Sequence, residues 1–190
     1  MRPSAAILCV LLCSCAADTS VHMAAKPSAE PKMLMPALEN RIYELVDQER
    51  HKLDPAARPL ALDSELVKAA RQKSADMAAH HYLAHYAPDG QTAAGIIMED
   101  DENFHGILGE NLAAQPYLPK FGVDVETFAR SLVNTWLASK GHRDNLADTA
   151  FGRTGIGAAA NADTVYVTEL FADDPASQKS QSSLQRNVSP

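Results

Sequence analysis

Thr154-Gly-Ile-Gly-Ala158 and Thr164-Val-Tyr-Val-Thr-Glu-Leu-Phe171 are separated by Asn161-Ala-Asp163. The flanks are rich in β-formers, and the junction carries the Asn and Asp that favour tight turns, so the stretch predicts an antiparallel hairpin. Upstream of it the periodicity is helical. Leu38, Ile42, Leu45, Val46 and Glu49 share one stripe of a helix predicted over about 36–53. Pro36 suits its first turn, where a missing N–H is harmless. Residues 54–62 form a proline-containing connection that ends extended. Asp63 is placed to cap a second helix whose face is Leu66, Ala69, Ala70, Ser74, Met77 and Ala78. Small residues on that face imply a closely packed neighbour. Pro88-Asp-Gly90 breaks the chain, and a short helix is predicted over 92–98. Asp124 caps a further helix over 125–139, with Phe128, Leu132, Val133, Trp136 and Leu137 inward. Helices come first and strands gather at the end. The expected class is therefore α+β, with a small, mainly antiparallel sheet packed against helices rather than a doubly wound parallel sheet.

The chain has 190 residues, enough for one ordinary domain with tails. A hydrophobic share of 46% against 22% charged residues supports a packed core. Net charge is −7 and no Lys/Arg cluster is present, which argues against nucleic acid and anionic membrane surfaces as partners. All three cysteines, Cys9, Cys13 and Cys15, lie at the N-terminus. The domain itself can hold neither a disulfide nor a thiolate site.

Arg2 followed by the short apolar run 5–12 reads as a secretion signal, too short to span a bilayer. Leu12-Cys-Ser-Cys15 resembles the bacterial lipobox. That resemblance implies cleavage before Cys15, lipidation of its thiol, and a membrane anchor. With Ala16 next, it implies retention on the periplasmic side of the outer membrane. The alternative is an ordinary signal peptide cut near Ala16 or Ala17 and a secreted product. The expected organisation is a signal peptide over 1–14, a lipidated tether over 15–34, one domain over 35–172, and a Ser/Gln-rich tail over 173–190. Asn187-Val-Ser189 fits a glycosylation sequon that has no meaning in a bacterial lipoprotein.

Three stretches are more polar than packing requires: His85-Tyr-Ala-Pro-Asp-Gly90, Gly109-Glu-Asn111, and Trp136-Leu-Ala-Ser-Lys-Gly-His-Arg-Asp-Asn145. In this order, followed by Gly155-Ile-Gly157 and a strand closing on Phe171, they resemble the CAP superfamily (cysteine-rich secretory, antigen 5 and pathogenesis-related 1 proteins; the SCP domain). The likeness is greatest to its disulfide-free bacterial branch and covers about residues 38–172. It implies a three-layer α-β-α sandwich whose cleft receives His85, Glu110 and His142 from separate segments. Family members with a full tetrad carry a second glutamate soon after the tryptophan. Leu137-Ala-Ser-Lys140 supplies no carboxylate. Lys140 stands where bacterial relatives often have proline, and Asp47 where they often have asparagine. The family has no agreed enzymatic activity.

Two imidazoles and a carboxylate suit Zn²⁺ with an open coordination position. His85 and His142 would supply nitrogen. Glu110 would be a third ligand or, as catalytic base, would act on bound water. The competing reading has the histidines hydrogen-bonded to Glu110 as a brace, with Glu110 tying down loop backbone. His22, His51, His80, His81 and His105 read as ordinary histidines, Asn111 and Asn145 as loop braces, Arg143 as an ion-pair partner, and Trp136, Phe128 and Phe151 as core. Ser139 is not placed as a nucleophile by any Gly-x-Ser-x-Gly elbow. No His-Glu-x-x-His helix or phosphate-cradling loop is present. The expected function is envelope-anchored capture of a lipid, glycan or protein ligand in the His/Glu cleft. The alternatives are a zinc-dependent hydrolase using that cleft and an interaction protein whose cleft is vestigial.

Overall fold

The computed structural model describes residues 30–102, 104 and 108–173. The signal segment, Cys15, His22, most of the tether, His105 and the tail lie outside the described residues. The elements run α1 (Pro31–Leu53), β1 (Ala61–Leu62), α2 (Ser64–His80), α3 (Ala93–Asp100), β2 (Leu108–Pro116), α4 (Val125–Ala138), α5 (Lys140–Ala147), β3 (Phe151–Ala160) and β4 (Thr164–Asp173). The strands form one sheet in the order β1-β3-β4-β2. β4 pairs antiparallel with both β3 and β2, and only the two-residue β1 runs parallel to its neighbour. The expected α+β class with a mainly antiparallel sheet is what forms.

The hairpin is the frame. Asn161 Oδ1 accepts from the Asp163 and Thr164 amides, closing the predicted turn. Across the sheet, residues of one parity (Ile156, Val167, Phe171) face α1, α4 and α5 and form the larger core with Trp136 and Leu146. Phe151 and Phe171 stack there at 5.3 Å. The other parity (Leu170, Ala172) meets Leu66, Ala69 and Ala70 of α2 and Ile96 and Ile97 of α3. Helices thus cover both faces, giving three layers.

Two glycines set the second interface. A Cβ on Gly155 would lie 2.2 Å from the α2 backbone at Leu66 and Val67, and one on Gly157 would lie 2.1 Å from the Arg71 nitrogen. Only a bare backbone lets α2 approach this closely, and the small residues Ala69, Ala70 and Ser74 complete the fit. The Asp63 cap is present, accepting from the Glu65 and Leu66 amides at 3.0 and 3.1 Å. Thr92 and Asp124 cap α3 and α4 likewise.

Four local readings change. α1 starts at Pro31, so Pro31 takes the first-turn place and Pro36 lies inside the helix. One missing bond so near the helix start is tolerable. Gly109-Glu-Asn111 is strand β2 rather than loop, because nine residues pair in register with β4. The segment after Ser139 is helical, with Asn145 inside α5 and Leu146 its buried residue. Arg143 makes no ion pair among the described residues. Its Nη1 donates at 2.7 Å to the Leu137 carbonyl, satisfying an end of α4.

A buried polar group sits within the larger core. Arg50 is buried and donates to the Leu146 and Asp148 carbonyls at 2.5 and 3.1 Å. Burial pushes the Glu169 carboxyl up to about 8, against the opposing pull of the Thr154 hydroxyl at 3.3 Å and of the Arg50 charge.

Candidate functional site

The three predicted residues arrive from three elements. His85 lies in the loop after α2, Glu110 in edge strand β2, and His142 in the first turns of α5. His85 Nδ1 donates to Glu110 Oε2 at 2.6 Å, with the imidazole 54% exposed and the carboxylate 13% exposed. Glu110 Oε1 and His142 Nδ1 are both buried and without a hydrogen-bond partner among the described residues. Burial lowers the His142 pKa, and the neighbouring His85 charge lowers it further, so its imidazole stays neutral.

The backbone around these groups is tied down on all sides. Asn111, wholly buried, donates from Nδ2 to the His142 carbonyl at 3.2 Å. Asn145 Nδ2 reaches Asn111 Oδ1 at 2.9 Å and the Glu110 carbonyl at 3.3 Å. The asparagines therefore clamp helix α5 to strand β2. The Pro88-Asp-Gly turn closes by a Gly90 N–H to Ala87 carbonyl bond at 2.8 Å. Gly90 there has φ +91°, a conformation that L side chains rarely adopt.

Lys73 escapes a reading of the sequence. It is buried, and its Nζ donates at 3.0 Å to the His85 carbonyl and at 3.2 Å to the Tyr82 hydroxyl. Tyr82 in turn donates to Asp76 Oδ2 at 2.5 Å. Burial lowers the Lys73 pKa while the charges of Glu110, Asp76 and Asp89 oppose that shift. The available signal is its position: Lys73 falls in the Leu66, Ala70, Met77 stripe, where a lysine has no place unless something polar awaits it.

His51, His80 and His81 are exposed and stay away from this cluster. His80 pairs with Asp76 on its own helix, and His81 faces Asn161. Trp136, Phe128 and Phe151 are core, as expected.

The donor set suits Zn²⁺ chemically, since neutral imidazole and carboxylate are its usual ligands. The arrangement fits less well as a ready cage. Among the described residues no three His, Cys, Asp or Glu side chains are gathered to hold a metal. Glu110 spends one oxygen on His85, the posture of a carboxylate that orients an imidazole.

His85, Glu110 and the half-buried His142 come from the three sequence blocks singled out above, and two asparagines clamp the backbone between them. Residues 43–171 match the cysteine-rich secretory protein family, CAP. The chain belongs to the CAP family. The uncharacterized protein YkwD of Bacillus subtilis is 30% identical over 121 residues, which are 64% of this chain and 42% of YkwD. The chain thus spans less than half the length of that relative. Among solved structures, an outer surface protein of Borrelia burgdorferi superposes with TM-score 0.59 at 22% identity, covering 72% of this chain and 92% of the Borrelia protein. An extracellular SCP-domain protein of Bacillus anthracis gives 0.57 at 25% identity, covering 76% of this CAP domain chain and 43% of that one. NaASP2, solved with Zn²⁺, shares the fold at TM-score 0.50 and 16% identity, with 72% of this chain and 80% of NaASP2 covered.

Proposed function

We propose that this CAP domain is an envelope-held binding module that captures a ligand between His85, Glu110 and His142. The observation that carries the reading is the pair of buried, unpartnered atoms Glu110 Oε1 and His142 Nδ1 beside the exposed imidazole of His85. A buried acceptor without a partner costs about 1–3 kcal/mol. A fold that clamps the surrounding backbone with Asn111 and Asn145 yet leaves these two atoms open is suited to a ligand that completes them. A hydroxyl or amide N–H would satisfy Glu110 Oε1, which fits a glycan, a lipid headgroup or a protein main chain. Nucleic acid fits poorly, because the chain carries a net charge of −7 and no Lys/Arg cluster to meet a run of phosphates.

The envelope location rests on the lipobox-like Leu12-Cys-Ser-Cys15 and the signal-like run before it. The naming of two structural neighbours as outer-surface and extracellular proteins supports it. Among the described residues no helix is long and apolar enough to cross a membrane, so attachment would fall to Cys15. Capture is tested with panels of fatty acids and peptidoglycan fragments on the parent chain and on His85→Ala and His142→Ala. Loss of binding with the fold intact is expected, and unchanged binding would remove the site assignment.

The second reading, a zinc-dependent hydrolase, is favoured by the lowered pKa of His142, which keeps a nitrogen free of its proton at neutral pH. NaASP2, a CAP protein solved with Zn²⁺, adds support. His85 and His142 would hold the ion, and the ion would supply an acidified water. The remaining work falls to Glu110, whose Oε2 orients His85 and whose Oε1 is open to take a proton. A calorimetric zinc titration separates the readings: stoichiometric heat lost in the double His→Ala variant supports the hydrolase, and no heat leaves the capture module.

A further inference from the structure

The turn between β2 and α4 presents its apolar residues outward. Phe121 is 72% exposed and Leu118 58% exposed, while Met33, at the start of α1, is 77% exposed. A single exposed apolar residue is ordinary. These three share one end of the domain. Pro31 and Lys32 of α1 line a common cavity with Tyr117, Pro119 and Gly122 of the turn. The turn is also rigid. The Phe121 and Gly122 amides donate to the Leu118 carbonyl at 2.9 and 3.1 Å, and Pro119 fixes its own φ. Below the tip, Tyr117 is stapled to the β3–β4 hairpin by its amide to the Asp163 carbonyl and its hydroxyl to the Asn161 carbonyl, at 2.7 and 2.8 Å. A tip held this firmly does not hide its apolar residues, and little ordering entropy is lost when they are buried elsewhere. Lys120 lies 4.7 Å from the Phe121 ring centroid, and Lys32 is exposed on the same end.

We infer that this end docks on a phospholipid bilayer, with Leu118 and Phe121 entering the boundary between headgroups and acyl chains while Lys120 and Lys32 meet the phosphates. The choice of occupant comes from where the chain leads. The described residues begin at Glu30, at this same end, and Cys15 lies fifteen residues earlier. Fifteen residues extend at most about 50 Å, so a chain anchored at Cys15 holds this end within reach of the membrane. The net charge of −7 argues against an electrostatic patch. It does not oppose insertion of an aromatic and a leucine, which is driven by burial of apolar area. The placement rests on the anchoring reading above.

The test uses the full chain, produced with its signal intact, in phosphatidylethanolamine–phosphatidylglycerol vesicles whose acyl chains carry bromine. Trp136 is the chain's one tryptophan and is fully buried, so F121W adds a single reporter at the tip. The added indole should shift to shorter wavelength and lose most of its intensity to the bromines. Trp136 emission in the parent chain should not change, and L118D should reverse both effects. Emission at the wavelength of a water-exposed indole, unquenched, overturns the inference. A shift to shorter wavelength without quenching assigns the face to protein contact and overturns it equally. Intact mass on the same sample reports acylation of Cys15. Missing acyl mass sinks the anchoring reading alone, and quenching in excess vesicles still decides the turn.

Discussion

The two edges of the sheet are finished in opposite ways. Beyond the two residues of β1, the free edge of β3 is sealed by side chains. Glu39 Oε1 accepts from the Ala158 amide at 2.9 Å while its carboxylate holds Arg71, and on the adjoining face, under α2, Ser74 Oγ donates to the Gly157 carbonyl at 2.9 Å and bonds Thr168 of β4. None of the side-chain atoms in this seal is left unpartnered. At the other edge, β2 is held as firmly by Asn111 and Asn145, yet Glu110 Oε1 and His142 Nδ1 stay open. One edge is closed for stability. The other leaves two buried polar atoms open at a local loss of stability.

If the sealed edge and the α2 face beside it are structural, breaking them should unfold the protein. Gly157→Val forces a Cβ to within 2.1 Å of the Arg71 nitrogen, backbone against backbone, with no side chain able to move aside. Destabilisation should reach or exceed the upper end of the overpacking range, about 3 kcal/mol, read by urea unfolding. If the open edge is functional, His142→Ala and Glu110→Leu should lower capture by about 10- to 100-fold, the worth of one charge-assisted bond. Stability should hold or rise by up to about 1 kcal/mol with Glu110→Leu, because an unsatisfied carboxylate is removed. A loss of stability matching that of the sealed edge would erase the contrast. Ser74→Ala probes the α2 face more gently. It removes one donor from the ladder-paired Gly157 carbonyl, leaves the Thr168 hydroxyl short of a partner, and should cost about 1 kcal/mol without touching capture.

The smallest expected effect is in pH. Glu169 has its pKa raised from 4.5 to about 8, so the folded state holds a proton that the unfolded chain releases. That contribution is complete below about pH 4.5 and is lost as pH rises through about 8. His142 acts in the opposite sense. Its folded pKa lies below 6.5, so the unfolded chain takes the proton first and stability falls as pH drops below that value. Unfolding midpoints between pH 5 and 9 should therefore decline on both sides. Glu169→Gln should flatten the alkaline limb and His142→Ala the acid limb. Limbs that persist in the variants would assign the slopes to other groups.

What can be seen in advance follows from where the physics is local. Asp63 and Asp124 announce their helices because a cap acts within three residues. Asn161-Ala-Asp163 announces its turn for the same reason. β2 is hidden because Leu-Gly-Glu-Asn-Leu-Ala-Ala-Gln-Pro has no β-branched or aromatic residue. Its extended state comes from nine paired positions on β4, a partner 48 to 64 residues away. α5 is hidden because Leu146 is its one buried residue, which leaves no stripe to find. Arg143 reads as an ion-pair partner because nothing in the sequence reveals that a carbonyl at the end of α4 stands within its reach.

The sequence by itself determined the class of fold, the hairpin and its turn, the capped helices and the family, because caps, turns, periodicity and motif order are short-range signals. Only the tertiary structure decided that Gly155 and Gly157 are contact points for α2, that Lys73 belongs to the His85 loop, and that Glu110 keeps one oxygen bonded and one open. Those facts depend on which backbones approach within a few ångströms, and that is set by packing between segments far apart in the chain.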